Sequence, residues 1–359
     1  MEQPHASDNR ISTRSERLDY LDAIRGFCVV LVVVAHHLIG VRLVVDYLHA
    51  FALTPFFLVT GYLQAKKLEW ERPFRELFVK NLKRFLYPYF TLSLINMVWN
   101  LLYYKVVFPT VVPEPYPLDR LHLFSVTTYS YNALWAIPCA MWGSILFLSL
   151  RKHRRHMLLW GATAVFLVVF YIFFDTPLSG KGFVSYLYCY IFRSVMCMIF
   201  IYAGYLLYEL LKRINRRTEN LLLIISGILS AIILLLYQFM PDYFPTINLA
   251  THELGNPYFY YPFAMIPASF FFLLLRRYAR PGGILAYFGR HSLIVMALHM
   301  DIFVLIAWYI VAKLGLADGS TFSSLLVILL ELLMSPVFIS VINRYFPFVL
   351  SLPKRAAKK

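Results

Sequence analysis

Long runs of Leu, Ile, Val, Phe and Tyr recur along the chain and are broken by short basic clusters. An α-helix needs about 20 apolar residues to cross the hydrocarbon core of a bilayer. Ten runs meet that length, at roughly 21–41, 47–65, 85–104, 131–150, 157–174, 184–210, 220–240, 258–275, 287–312 and 322–342. The pattern predicts an all-α polytopic membrane protein with about ten transmembrane helices. A different pattern occupies 68–84, where basic and apolar residues alternate. It predicts an amphipathic helix lying on a membrane surface. No fixed-period repeat is evident.

The net charge of +15 would suit nucleic-acid binding, but its distribution points elsewhere. Arg10, Arg14 and Arg17 precede the first run. Lys66 to Arg84 follow the second, Arg151 to Arg155 the fourth, Lys212 to Arg217 the sixth, and Arg276 to Arg280 the eighth. The alternate connections carry few basic residues. An excess of Lys and Arg at every second loop marks the cytoplasmic side. Both termini are therefore expected in the cytoplasm, and the protein in the cytoplasmic membrane. Residues 1–17 read as a disordered tail, 18–345 as the transmembrane domain and 346–359 as a basic cytoplasmic tail. The first run lacks a small-residue cleavage site and reads as a retained span. Cys28, Cys139, Cys189 and Cys197 fall within spans, where buried thiols are expected rather than disulfides. The Pro-containing external connections at 107–130 and 241–257 are candidate caps over an external opening.

Polar residues inside spans carry the functional signal. Arg25 and His36 stand eleven positions apart in the first run. A helix rises about 1.5 Å per residue and turns about 100°. The two side chains therefore share one face, about 16 Å apart along the axis. A charged residue in mid-membrane costs about 2.5–3.5 kcal/mol on insertion scales, so such residues face cavities or partners. Asp22 extends the stripe. One reading makes Asp22 and Arg25 a simple i, i+3 pair, with His36 hydrogen-bonded between helices. In the other, His36 is a general base beyond the midplane and Arg25 meets a phosphate from the cytoplasm. A donor with a phosphorylated head and a long thin arm, such as an acyl-coenzyme A, has the matching shape. His37 points some 100° away and is the weaker candidate.

Several fragments carry a resemblance. Arg17-Leu-Asp-Tyr-Leu-Asp-Ala-Ile-Arg-Gly26 followed by Val-Val-Val-Ala-His36 resembles the opening of the acyltransferase-3 family of integral membrane O-acyltransferases. Pro55-Phe-Phe-Leu-Val-Thr-Gly-Tyr62, Lys83-Arg-Phe-Leu-Tyr-Pro88, Leu134-Trp-Ala-Ile-Pro138, Ala203-Gly-Tyr-Leu206 and Phe288-Gly-Arg-His-Ser-Leu293 with His299 resemble later motifs of that family, in order. Two positions depart: Thr60 stands where the family has Ser, and Ala136 where an aromatic is common. Some members also carry a C-terminal hydrolase-like domain that this sequence lacks, so transfer is expected to be direct or to use a separate partner.

The resemblance implies transfer of an acyl group, by family habit acetyl, from cytoplasmic acetyl-CoA to a hydroxyl of an extracytoplasmic or lipid-linked carbohydrate. His36 would be the base, with Asp22 holding Arg25. Arg25, Arg84 and Arg290 would serve the coenzyme. Thr60, Trp135, Arg193 and His299 would contact substrate, with His299 meeting His36 near mid-membrane. Each has a blander reading: Arg84 and Arg290 as basic flanks, Arg193 as a snorkelling or paired cation, His299 as a packed residue. Glu331 in the last span has no assigned role: it pairs with Arg193 or Lys313, or packs with its carboxyl satisfied. No metal is expected, because His252-Glu253 lacks a second spaced His and no Cys pair is arranged for zinc. Membrane lipid and a carbohydrate or lipid-linked sugar acceptor are the expected partners, without nucleic acid, with a second copy or an export-complex subunit as further candidates. The competing readings are a proton-coupled transporter or flippase of a glycosidic or lipid substrate, and a structural subunit of an export complex.

Overall fold

The computed structural model describes residues 18–38, 41–107, 132–152, 183–240, 243–244, 257–316 and 319–350. Thirteen α-helices carry the described chain. They are α1 (Asp19–His37), α2 (Arg42–Phe51), α3 (Thr54–Lys66), α4 (Phe74–Asn81), α5 (Tyr87–Val107), α6 (Ala136–Lys152), α7 (Phe183–Arg213), α8 (Arg216–Phe239), α9 (Pro257–Tyr278), α10 (Ile284–Arg290), α11 (Ser292–Leu298), α12 (Val304–Lys313) and α13 (Thr321–Tyr345). No strand occurs among the described residues. Seven stretches of these residues are long and apolar enough to cross a membrane. The protein is an all-α polytopic membrane protein. The fifth predicted span, 157–174, and most of both external connections lie outside the described residues.

Helix boundaries follow local chemistry. Asn215 caps α8, its side-chain oxygen accepting from the Thr218 N–H at 2.9 Å, and Ser320 caps α13 through the Ser323 N–H at 3.2 Å. α8 turns Leu221, Ile224, Ile228, Ile232 and Leu235 outward, and α13 turns out Leu325, Leu329, Leu333 and Val337. Apolar stripes of that length suit lipid as solvent.

Three predicted spans differ in detail. α1 ends at His37, so His36 occupies its last turn rather than a point two-thirds along a longer helix. The second span is two helices that meet at Ala52 and Leu53, because Pro55 at the start of α3 has no N–H to continue the ladder. The ninth is broken at His291 and again loosened by a π-helical turn, His299–Phe303. The surface segment 68–84 folds as a 3₁₀ turn (Glu69–Glu71), α4 and a second π-helical turn (Leu82–Leu86). The expected C-terminal tail begins with an ordered 3₁₀ turn, Pro347–Val349, whose Val349 carbonyl accepts from Thr91 Oγ1 at 2.6 Å.

Glycines set the closest helix approaches. A Cβ on Gly26 would stand 1.8 Å from the Leu285 carbonyl oxygen, and one on Gly289 would stand 1.6 Å from that of Asp22. α3 and α7 meet the same way: a Cβ on Gly61 would lie 1.7 Å from Ile201 O, and one on Gly204 would lie 2.1 Å from Leu58 O. Lipid tails compete for apolar surface, so association in the membrane relies on such backbone approach. At the start of α1, Tyr20 donates to the Tyr62 hydroxyl at 2.9 Å. Arg276 donates to the same hydroxyl at 3.1 Å and pairs with Glu219 at 2.9 Å. The starts of α1 and α8 and the ends of α3 and α9 therefore share one end of the molecule, as the basic loops predict.

Candidate active site

Gly26 and Gly289 place their sequence neighbours. Arg25 precedes one and Arg290 follows the other, and both side chains line a cavity of about 270 Å³. Arg84, from the π-helical turn before α5, lines the same cavity and lies over the Phe85 ring at 5.0 Å. The remaining wall includes Leu53, Phe56, Thr60, Ala136, Ile137 and Met296. The three arginines assigned to a coenzyme from sequence thus converge, together with Thr60. Thr60 Oγ1 donates to the Phe56 carbonyl at 3.0 Å, so its hydroxyl is bonded within its own helix. Asp22 Oδ1 stands 3.6 Å from Arg25 Nη1 and is buried at the α1–α10 crossing. Arg84 also borders an open surface groove of about 930 Å³ with Arg75, Lys80 and Lys83.

Beyond the cavity lies an imidazole cluster. Met296 is three residues before His299 and Leu53 is four after His49, so each is about one turn from a histidine. The His36 ring centroid lies 5.4 Å from that of His299 and 5.9 Å from that of His49. From the Gly26–Gly289 crossing to the His36–His299 pair, both strands of the contact advance ten residues in the same direction. α1 and the segment beginning at α10 therefore run parallel for about 15 Å. Two spans with an odd number of crossings between them must run this way, as the predicted first and ninth do with seven between them.

Other expectations are placed differently. Arg193 and Trp135 are both buried, with the guanidinium 5.0 Å from the Trp135 ring centroid, and neither borders the cavity. The residue after Trp135, Ala136, does. Glu331 does not meet Arg193 or Lys313; its Oε1 stands 2.7 Å from His37 Nε2, and both residues are buried. A buried carboxylate needs a close cation or donor, and the rotation that turns His37 from His36 points it at α13. Cys28, Cys139 and Cys197 are buried free thiols.

Sequence reading missed His49, Asn96 and Asp301. Asn96, wholly buried on α5, donates to the Ala297 carbonyl at 2.7 Å and to Asp301 Oδ2 at 2.9 Å. The available signal was the one that marked Arg25: a polar or ionisable residue inside an apolar run. Among the described residues, no three His, Cys, Asp or Glu are grouped to hold a metal ion.

A basic cavity lies near one end of the membrane bundle, and a histidine cluster lies deeper along the same helices. Over residues 18–344 the chain matches the model of the Acyltransferase domain family, acyltransferase-3, and it belongs to that family. It is a membrane acyltransferase. No curated protein and no solved structure matches the chain.

Proposed function

We propose that this protein moves an acyl group, acetyl by preference, from cytoplasmic acyl-CoA to a hydroxyl of an extracytoplasmic or lipid-linked carbohydrate in the cytoplasmic membrane, with His36 as general base. One observation carries the reading: Arg25, Arg84 and Arg290 line a single cavity whose wall reaches Met296, one turn before the histidine that faces His36.

Guanidinium groups suit phosphate by fixed, charge-assisted donors. Three of them exceed what a basic helix flank requires. The donor supplies an activated thioester on a narrow arm; the 270 Å³ cavity has apolar walls for such an arm, and the adjoining basic groove suits an anionic head. The distance along α1 from Arg25 to His36, about 16 Å, matches a head held at one end and chemistry at the other. His36 takes the proton of the acceptor hydroxyl as its oxygen bonds to the acyl carbon. The departing thiolate then receives that proton, which returns His36 to its neutral form. Asp22 steadies Arg25. The shared end of the basic loops supports cytoplasmic placement of the arginines and both termini.

The test uses the purified protein in nanodiscs, acetyl-CoA labelled in its acetyl group, and a membrane sugar extract. Thiol release that depends on the extract, with label appearing in a sugar product, is expected for wild type and not for His36→Ala. Absence of coenzyme binding and of release in wild type would overturn the reading and leave proton-coupled transport, for which Asp301 and Glu331 supply further buried carboxyls.

A further inference from the structure

His36 stands between two imidazoles that are fixed alike. His49 Nδ1 lies 2.9 Å from the Val45 carbonyl oxygen. His299 Nδ1 lies 2.9 Å from Met296 O and 3.2 Å from Val295 O. A carbonyl only accepts, so each Nδ1 carries the proton, and each neutral ring presents Nε2 as a lone-pair acceptor. His299 Nε2 is buried and has no hydrogen-bond partner among the described residues. A buried polar atom left without a partner calls for an explanation. The nearest imidazole to His299 is that of His36, whose ring lies at a separation that lets two edge nitrogens share one hydrogen.

The backbone beneath His299 is built for this. The π-helical turn at His299–Phe303 interrupts regular helix pairing, and side chains bond to the carbonyls of Val295, Met296 and Ala297. π-bulges of this kind recur at functional sites. Asn96 grips the turn from α5, donating both to the Ala297 carbonyl before it and to Asp301 within it.

We propose that His299 is the positioning partner of His36. A small rotation of the His36 ring would bring one of its N–H groups onto His299 Nε2 and so hold the other nitrogen as the base for the acceptor hydroxyl; Asn96, bonded to Asp301 and Ala297, holds the turn that carries His299. His299 thereby does for His36 what a buried carboxylate does in a Ser-His-Asp triad, holding tautomer and orientation. His49 is the lesser partner: it is half-buried, farther away and tied by one carbonyl. The inference rests on the acyl-transfer reading above.

The experiment measures kcat and donor KM in nanodiscs for wild type, His299→Leu, His299→Gln, Asn96→Leu and His49→Leu. Loss of base orientation is expected to lower kcat about 100-fold in His299→Leu, within the span of general-base effects. His299→Gln, whose carbonyl oxygen can accept from His36, is expected to recover about tenfold of that loss. Asn96→Leu is expected to lose about tenfold in kcat, as supporting residues do, with donor KM changed less than about threefold. If His299→Leu does not fold, His299→Asn, too short to reach His36, replaces it in the comparison with Gln. A kcat within about threefold of wild type in His299→Leu, no advantage of Gln over Leu or Asn, or a larger loss in His49→Leu would overturn the proposal. Wild type without transfer would overturn the acyl-transfer reading and this inference together, whereas active wild type with unaffected His299 variants overturns the inference alone.

Discussion

Gly26 and Gly289 bring α1 and α10 so close that a Cβ on either would meet the other helix's backbone within 2 Å, at 1.8 and 1.6 Å. The arginines on either side of that crossing face one cavity, and ten residues further along both strands His36 and His299 face each other. The glycine contact sets the lateral position, and the parallel run carries it to the histidines.

Gly26→Ala or Gly289→Ala forces the helices apart, because the obstacle is backbone rather than a side chain that can rotate. Overpacking of this kind costs about 1–3 kcal/mol. Both variants are expected to lose thermal stability and, more sharply, donor binding, since Arg25 and Arg290 shift with their helices. Gly227→Ala meets only the Phe270 ring edge, at 3.0 Å, and serves as the milder comparison. Thermal unfolding and coenzyme binding on the same preparations check this.

The three cavity arginines are expected to differ from ordinary flank residues in their kinetics. Removing one charge-assisted contact costs about 1.5–3 kcal/mol, so Arg25→Ala, Arg84→Ala and Arg290→Ala are each expected to raise donor KM about tenfold or more. Arg25→Lys keeps the charge but not the planar fork, and is expected to rescue only in part. A donor KM equal to that of wild type in all four variants would remove the phosphate assignment.

His37 and Glu331 tie α1 to α13 through a buried contact of 2.7 Å. Deleting one member of such a pair strands the other, at about 3–5 kcal/mol. Glu331→Leu is expected to lower thermal stability strongly, and His37→Phe combined with Glu331→Leu to be less damaging than Glu331→Leu alone. A double-mutant cycle in unfolding temperature reads the coupling; strict additivity would mean that the two side chains do not depend on each other.

Ala136 borders the cavity. Ala136→Phe narrows a space of about 270 Å³. Donor KM is expected to rise, most steeply for donors with longer acyl chains. A uniform effect across chain lengths would place the acyl group elsewhere.

The membrane class, the Arg25–His36 stripe and the shared end of the basic loops were legible because each is a local property: apolar length, helical spacing and flank charge. Convergence of Arg290 on Arg25 is set by the contact of Gly26 with Gly289, which no single segment reveals, and Arg84 reaches the same cavity from the separate turn Leu82–Leu86. The break before α3 had a signal in Pro55. The π-helical turn under His299 had none, since no residue type specifies it and the Asn96 side chain that bonds to it comes from another helix. Glu331 was legible as costly, but its partner was not: choosing His37 over Arg193 requires knowing that α13 packs on α1. Arg193 is instead met by Trp135, a pairing set by the approach of α6 to α7.

In the proposed mechanism Arg25 holds the donor and His36 performs the chemistry. Coenzyme affinity and single-turnover transfer, measured side by side for wild type, Arg25→Ala and His36→Ala in nanodiscs, test it most directly. His36→Ala is expected to bind acetyl-CoA with an affinity close to wild type and to lose transfer by about 10²–10⁴-fold, while Arg25→Ala is expected to lose affinity first and to recover transfer at high donor concentration. A His36→Ala protein that still transfers acetyl at the wild-type rate would contradict it.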